Sequence, residues 1–261
     1  MRLILSGRTQ MMDSYTAPLA LERMRELGFA GAEICVENSR FEVREELMDR
    51  ALLAEVAAAA SSCGFEAWSY SYHADYIRDD KVLERTVEAI RLTREVGTDT
   101  FVFSGGRSDK TGDPQTEWQA LVERTEILAR EAEACGVRLA LETEPGFICG
   151  TTEQLLRLRD EIGSDALCAN MDIGHAFLCD PDALGAIAQL GERIIHCHLE
   201  DMRRGVHDHL VPGQGDMDLA AFISALEDAG ASGPAALDLY GYDYEKVAPQ
   251  ALEYLSSISG A

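Results

Sequence analysis

Residues 193–218 read RIIHCHLEDMRRGVHDHLVPGQGDMD, and the stretch changes character halfway. Arg193 to Leu199 has the alternation of a β-strand, which puts His196 and His198 on one face and Cys197 on the other. A polar segment with His207 and His209 follows, closed by a Pro212-Gly213-Gln214-Gly215 turn ahead of the next helical pattern. Four of the six histidines fall within fourteen residues of it, 196–209. A strand that ends in histidines and feeds a polar, histidine-bearing loop marks a metal or substrate site at the strand's C-terminal end. The fold therefore turns on what other strand ends bring to it.

The same strand-then-helix pattern recurs along the chain at intervals of about thirty residues. Strands are predicted at 2–6, 31–36, 65–70, 99–104, 137–142, 167–172, 193–199 and 235–239. Helical spacing is clearest in 18–27, 47–63, 82–96, 118–135, 152–162, 181–190, 219–229 and 244–258. Gly28, Gly64, Gly97, Gly136, Gly163 and Gly230 stand where C-caps are needed. Thr151 to Gln154 and Asp180-Pro181 supply helix starts. Eight such units, with no linker or break in composition, predict an α/β chain folded as a single (β/α)₈ TIM barrel spanning residues 1–261.

Composition narrows the functional classes. The 261 residues are 46% hydrophobic and 26% charged, enough for a large core. No apolar run approaches the roughly 18 residues of a membrane span and the N-terminus lacks a signal peptide's apolar core, so the expectation is a soluble, cytoplasmic protein with no membrane partner. Seven cysteines without a Cys-x-x-Cys pair fit reduced thiols. The net charge of −23 opposes binding to phosphate backbones, so no nucleic-acid partner is expected. A small-molecule substrate remains, and homo-oligomerisation is left open.

In a TIM barrel the active site lies at the C-terminal ends of the strands. Those ends present Glu33 and Glu37 (strand 2), His73 past strand 3, Ser104 (strand 4), Glu142 (strand 5), Asp172 with His175 three on (strand 6), His198 (strand 7) and Asp238 (strand 8). Carboxylates and an imidazole on four successive strands form a divalent-metal set, because burying such charges unpaired costs several kcal/mol or shifts the pKa by roughly 3 units. Oxygen-rich ligation with one imidazole suits Mn²⁺, with Mg²⁺ or Co²⁺ as alternatives, better than structural zinc. The Trp68-Ser69-Tyr70-Ser71-Tyr72 run ahead of His73 can either wall a sugar-binding cavity or pack the core. His196 reads as a hydrogen-bonded core histidine, and Gly105-Gly106-Arg107 is a weak phosphate-loop signal.

These motifs, LALE at 139–142, MDIGH at 171–175, HCHLEDMRRG followed by HLVPGQGDMD, and ALDLYGYDYEKV at the end, resemble the xylose isomerase-like TIM-barrel superfamily, and within it the sugar isomerase and ketose 3-epimerase branch. The resemblance implies metal ligands at Glu142, Asp172, His198 and Asp238, with Glu142 and Asp238 also moving the proton. It implies that His175 and Arg204 bind substrate hydroxyls, with Arg203 as the fallback, and that the loop bearing His209 covers the site. His73 and Trp68 join this substrate-binding set. The family's strand-8 carboxylate is usually Glu, and Asp238 is one methylene shorter, which bears on a two-base mechanism more than on the metal.

The expected activity is thus a metal-dependent isomerase or epimerase moving a proton next to a metal-bound carbonyl of a ketose or related polyol ketone. The same site could eliminate a β-hydroxyl, making a dehydratase or lyase. An endonuclease IV-like nuclease fits less well, since Ser104-Gly105-Gly106 and Gly205 replace metal-ligand positions of that family. A non-catalytic binding subunit would not need four buried ionisable groups.

Overall fold

The computed structural model describes residues 3–259. Among them, eight parallel strands close into a barrel in the order β1 to β8. They are β1 (Ile4–Arg8), β2 (Gly31–Cys35), β3 (Ala67–Ser71), β4 (Thr100–Ser104), β5 (Arg138–Glu142), β6 (Leu167–Asp172), β7 (Ile194–Leu199) and β8 (Pro234–Leu237). The ring of helices comprises α1 (Ala17–Leu27), α2 (Arg50–Ser62), α3 (Asp80–Leu92), α4 (Pro114–Cys135), α5 (Thr152–Ile162), α6 (Ile173–Cys179), α7 (Ala183–Leu190), α8 (Leu219–Asp228) and α9 (Tyr244–Ile258). The barrel expected from the eight strand-helix units is the barrel observed.

Boundaries differ where local chemistry overrides periodicity. The first strand lies two residues later than expected, at Ile4–Arg8, which brings Arg8 into the barrel; Arg2 of the expected strand lies outside the described residues. Helix α4 starts at Pro114, capped by Asp113, because proline is preorganised for the first turn. The expected helix 181–190 begins only at Ala183, capped by Asp182. Asp180 instead accepts hydrogen bonds from the backbone N–H and hydroxyl of Thr152 across the gap to α5. All six glycines expected to cap helices have positive φ.

The main core fills the layer between strands and helices, with Phe101, Phe103, Leu139, Leu141, Ile194, Cys197 and Leu199 among its strand residues. A small inner group, Val102, Ala140, Cys168 and Ile195, plugs the barrel nearer the strand N-termini. Above it the barrel interior turns polar, and that polar layer carries the site. No helix among the described residues is long and apolar enough to cross a membrane.

Candidate active site

Register sets the floor of the site: Glu142 on β5 pairs with Asn170 on β6, and Asp172 pairs with His198 on β7. Inward alternation then stacks Asn170 under Asp172 and His196 under His198. A ligand atom from each of Glu142, Asp172 and His198 lies within 4.8 Å of the other two, and all three residues are buried. His198 Nδ1 is 3.1 Å from Glu142 Oε2 and 3.8 Å from Asp172 Oδ2, while its Nε2 is 2.9 Å from Glu33 Oε2. Glu33 thus orients the imidazole from behind, the carboxylate-behind-histidine arrangement common around metals.

Asp172 divides its two oxygens. Oδ1 accepts the backbone N–H of His175 at 2.7 Å, capping α6, and Oδ2 is buried with no hydrogen-bond partner. Glu200 Oε2 is likewise buried and unpartnered. Burial, then the charges of Asp172 and Asp238, push the Glu200 carboxyl well above the carboxylate range. Burial also pushes Glu142 up, but the charge of His198 and hydrogen bonds from His175 and His198 outweigh it and hold Glu142 well below its ordinary value. An anionic, oxygen-rich pocket with one imidazole and an orphaned carboxylate oxygen fits a divalent cation.

Asp238 stands just past β8 and is not in that three-residue group. Its Oδ1 pairs with Arg8 Nη1, and its Oδ2 lies 3.4 Å from His209 Nδ1. Arg8 also donates to Glu33 Oε1 at 3.1 Å and is 2% exposed, so one buried guanidinium bridges the carboxylates of strands 2 and 8. The signal for Arg8 in the sequence was only a lone basic residue after Ser6-Gly7. Asn170, which donates to Glu142 Oε2 at 3.0 Å and whose Oδ1 lies 2.9 Å from His196 Nδ1, gave none.

A cavity of about 220 Å³ opens over this floor, lined by Arg8, Phe41, His73, Arg107, Glu142, Glu144, His175, His207, His209, Asp238 and Tyr240. His73 Nδ1 is 3.7 Å from Glu142 Oε2. His175 Nδ1 is 3.3 Å from Glu142 Oε1 and 3.4 Å from Asp172 Oδ2. Glu144, two residues past the end of β5, is pushed up to about 7 by burial and then by the charge of Glu142. His196 is a core histidine, bonded to Asn170 and 3.0 Å from Ser69 Oγ, with burial driving its pKa down to about 3.

Two expected substrate contacts lie elsewhere. Ser69 and Ser71 occupy the inner face of β3, so Trp68 points out to the helix layer, where its indole N–H donates to the carbonyl of Val96 at 2.8 Å. Arg204 is exposed and does not line the cavity; its guanidinium sits 5.0 Å over the Phe177 ring. Arg203, the fallback, is exposed and paired with Asp208. The cavity's arginines are Arg8 from below and Arg107, whose guanidinium lies 5.2 Å over the Phe147 ring.

The loop after β7 is held by Asp201, a buried carboxylate that accepts backbone N–H bonds from Met202, Gly213, Gly215 and Met217 at 2.9–3.2 Å. Gly215 has no room for a Cβ, which would fall 2.3 Å from Asp201 Oδ1. An antiparallel bridge between Asp201 and Leu210 narrows the loop, and between its arms His207 and His209 reach the cavity.

This barrel, with acidic and imidazole groups converging at its C-terminal mouth, is a xylose isomerase-like architecture. Residues 21–258 match the family model described as "Xylose isomerase-like TIM barrel", and the chain belongs to that family. Among curated relatives, a 3-dehydroshikimate dehydratase of Pseudomonas putida is 27% identical over 87% of this chain, and a D-psicose 3-epimerase of Enterocloster bolteae is 32% identical over 50% of it. The matched stretches span only 36% and 42% of those relatives' lengths. Among solved structures, a 3-keto-D-glucoside 4-epimerase from E. coli superposes with a TM-score of 0.82 at 16% identity, covering 98% of this chain and all of that one. The IOLI protein, solved with a bound zinc atom, does so with 0.77 at 19% identity, covering 98% and 96%.

Proposed function

We propose that this chain is a divalent-metal-dependent isomerase or epimerase that moves a proton on the carbon next to a carbonyl of a ketose or related polyol ketone. The observation that carries the reading is the buried convergence of Glu142, Asp172 and His198, with Asp172 Oδ2 lacking a hydrogen-bond partner. These three, joined by Asp238 if it turns away from Arg8, would hold the ion; Mn²⁺ suits the oxygen-rich set, and Mg²⁺, Co²⁺ or zinc are the alternatives. When bound, such an ion polarises a carbonyl and acidifies the neighbouring C–H.

The chain's own groups supply the rest. Glu142, held ionised, is the base on one face of the substrate, and the hydrogen bonds from Asn170 and His175 fix its direction. Asp238 serves the opposite face, and Arg8 holds it below its ordinary pKa against burial, which pushes the other way. His73, His175 and His209 meet substrate oxygens along the cavity wall. Base catalysis by a positioned carboxylate is worth about 10² to 10⁴ in rate.

A second reading is favoured by one specific observation. Glu144 lines the cavity, and burial and then the charge of Glu142 push its carboxyl up to about 7, so near neutral pH its protonated fraction can pass a proton to a departing β-hydroxyl, while Asp238 is engaged by Arg8. That arrangement suits a dehydratase, and the dehydratase relative aligns over more of the chain than the epimerase does. The test incubates the metal-loaded protein in D₂O with ketoses, inososes and a 3-dehydro cyclic acid. Deuterium at an inverted carbon supports epimerisation; loss of water with a new enone absorbance supports dehydration. Glu142→Gln should lower turnover of either by at least about 10² with metal still bound. Near wild-type turnover in that variant, or label that migrates between carbons without reaching solvent, excludes Glu142 as the base and favours a hydride shift.

A further inference from the structure

Gly105-Gly106-Arg107, directly after β4, carries a cation that neither the proposed metal group nor the acid-base pair uses. Its backbone is zipped to the loop after β5. Ile148 N–H donates to the Gly106 carbonyl at 3.0 Å, Ser108 N–H donates to the Gly146 carbonyl at 2.9 Å, and Arg107 bridges Phe147 antiparallel. Farther along, Ser108 Oγ and the Asp109 N–H donate to Glu117 of α4 at 2.8 and 2.7 Å. The two glycines do not make a phosphate-cradling nest of alternating right- and left-handed residues, because neither has a positive φ. Gly106 answers a packing need instead: a Cβ there would fall 2.4 Å from Asp75 Oδ1.

The backbone is held, then, while the Arg107 guanidinium is free. It is exposed, and among the described residues it makes no hydrogen bond and no ion pair; it lies 5.2 Å over the Phe147 ring. Contact with a ring face consumes none of its N–H donors, so they remain for a ligand. The cavity's other guanidinium, Arg8, is taken by Glu33 and Asp238. Arg107 also lines a second lobe of about 300 Å³, which shares Phe41, His73 and Glu144 with the cavity over the floor and is walled by Phe147. Phe41, 59% exposed with φ +60°, presents its ring to both lobes. Two aromatic rings beside an uncommitted guanidinium suit a carbon skeleton that ends in an anion. The charge count selects the anion. The second lobe offers this one free cation and two carboxylates, Asp75, which is paired with Arg78 at 2.7 Å, and Glu144. A phosphate dianion would meet both carboxylates with one positive charge to offset them. A carboxylate brings a single charge, and its two oxygens match the guanidinium fork.

We propose that the substrate is a polyhydroxy keto acid, whose carboxylate is held by Arg107 while its carbonyl lies toward Glu142. The inference rests on the reading of this cavity as the seat of proton transfer beside a carbonyl, and it narrows the polyol ketone to one that bears a carboxylate. Arg107 is then a specificity-determining residue. It distinguishes substrates by what a neutral analogue lacks: without a carboxylate the guanidinium stays in water and adds nothing to binding. Hydrogen bonds to a charged group change affinity by about tenfold or more, and the exposure of Arg107 sets its effect near the lower end.

The experiment measures apparent dissociation constants by calorimetry, on full-length protein with Mn²⁺ present, for two matched pairs. The open-chain pair is D-fructuronate and D-fructose, which differ only in a terminal carboxylate; the cyclic pair is a 3-dehydro cyclohexane carboxylic acid and an inosose. In at least one pair the wild type should bind the acid about tenfold or more tightly than the neutral partner. Arg107→Gln, a change at an exposed side chain, should bring that ratio close to one, and Arg107→Lys should restore part of it, since the charge returns without the fork. A wild-type preference no greater than that of Arg107→Gln in both pairs overturns the proposal. D-Fructose 6-phosphate is the third arm of the open-chain series: if it binds more tightly than D-fructuronate and does so through Arg107, the residue reads a phosphate and the carboxylate assignment is wrong. Failure of the proton-transfer reading shows separately. Arg107-dependent binding of an acid with neither deuterium exchange nor loss of water removes that reading and leaves this one standing, whereas turnover of neutral ketoses with no preference for acids does the reverse.

Discussion

Asp172 shows why part of the site is legible residue by residue. Its spacing to His175 has two explanations, helix cap and ligand, and both hold geometrically because a carboxylate has two oxygens: one caps α6 and the other is free. Arg8 was not legible, since its partners Glu33 and Asp238 are 25 and 230 residues away and only barrel closure brings them together. Trp68 misled because an aromatic before His73 resembles a sugar platform, although Ser69 and Ser71 on the alternate positions mark the inner face of that strand. Gly174 belongs with Asp172. A Cβ there would fall 2.2 Å from Glu200 Oε1 and 2.4 Å from Met202 Cε, and its N–H donates to Glu200 at 2.7 Å. Both neighbours are fully buried, so room for the methyl must come from repacking their side-chain ends. Gly174→Ala should therefore cost about 1–3 kcal/mol, as overpacking typically does, seen as a lower urea midpoint of the metal-free protein. An unchanged midpoint would mean that α6 shifts freely and that Asp172 is not fixed by this contact.

At the level of elements, strand and helix existence followed from periodicity, while α6 escaped notice because seven residues are too few to show a period. The loop after β7 was recognisable by its Pro-Gly-Gln-Gly turn, but not the way it is pinned. The Asp201 carboxylate does much of that, through four backbone N–H groups from 202 to 217. Leaving buried donors unsatisfied costs roughly 1–3 kcal/mol each, so a loop that loses its acceptor will open to water in preference to staying closed. Asp201→Ala should release the loop while the barrel stays folded. Amide exchange should accelerate across 203–217 with little change in the strands, and His207 and His209 should lose their place over the cavity. Turnover of whichever substrate the protein accepts should fall more than Tm does. Protection of 203–217 equal to wild type would show that the bridge between Asp201 and Leu210 suffices without the carboxylate.

The whole molecule carries a net charge of −23, and its surface arginines are largely paired with acidic neighbours. Such a field repels phosphate backbones, so neither retention of duplex DNA at physiological salt nor metal-dependent nicking at an abasic site is expected, and a nick would restore the nuclease reading. The same molecule stores opposed proton linkages in its interior. Burial raises Glu37 from 4.5 to about 8, and both its carboxyl oxygens lack partners. Burial lowers His196 from 6.5 to about 3. Between 3 and 6.5 the unfolded chain binds the His196 proton and the fold does not, so stability rises with pH. Between 4.5 and 8 the fold keeps the Glu37 proton and the unfolded chain does not, so stability falls with pH. Each slope reaches at most about 1.4 kcal/mol per pH unit, and the two nearly cancel where they overlap. Above 6.5 the Glu37 decline is unopposed by His196, and Glu144 and His175, raised to about 7 and about 9, add to it. Urea midpoints of metal-free protein from pH 5 to 8.5 should therefore fall through the upper half of that range. Glu37→Gln removes one contributor, so the gap between variant and wild type should widen in the variant's favour as pH climbs from 5 towards 8 and level off beyond. Parallel profiles for the two proteins would show that Glu37 is ionised in the fold across this range and that its burial is offset by a partner such as Arg8.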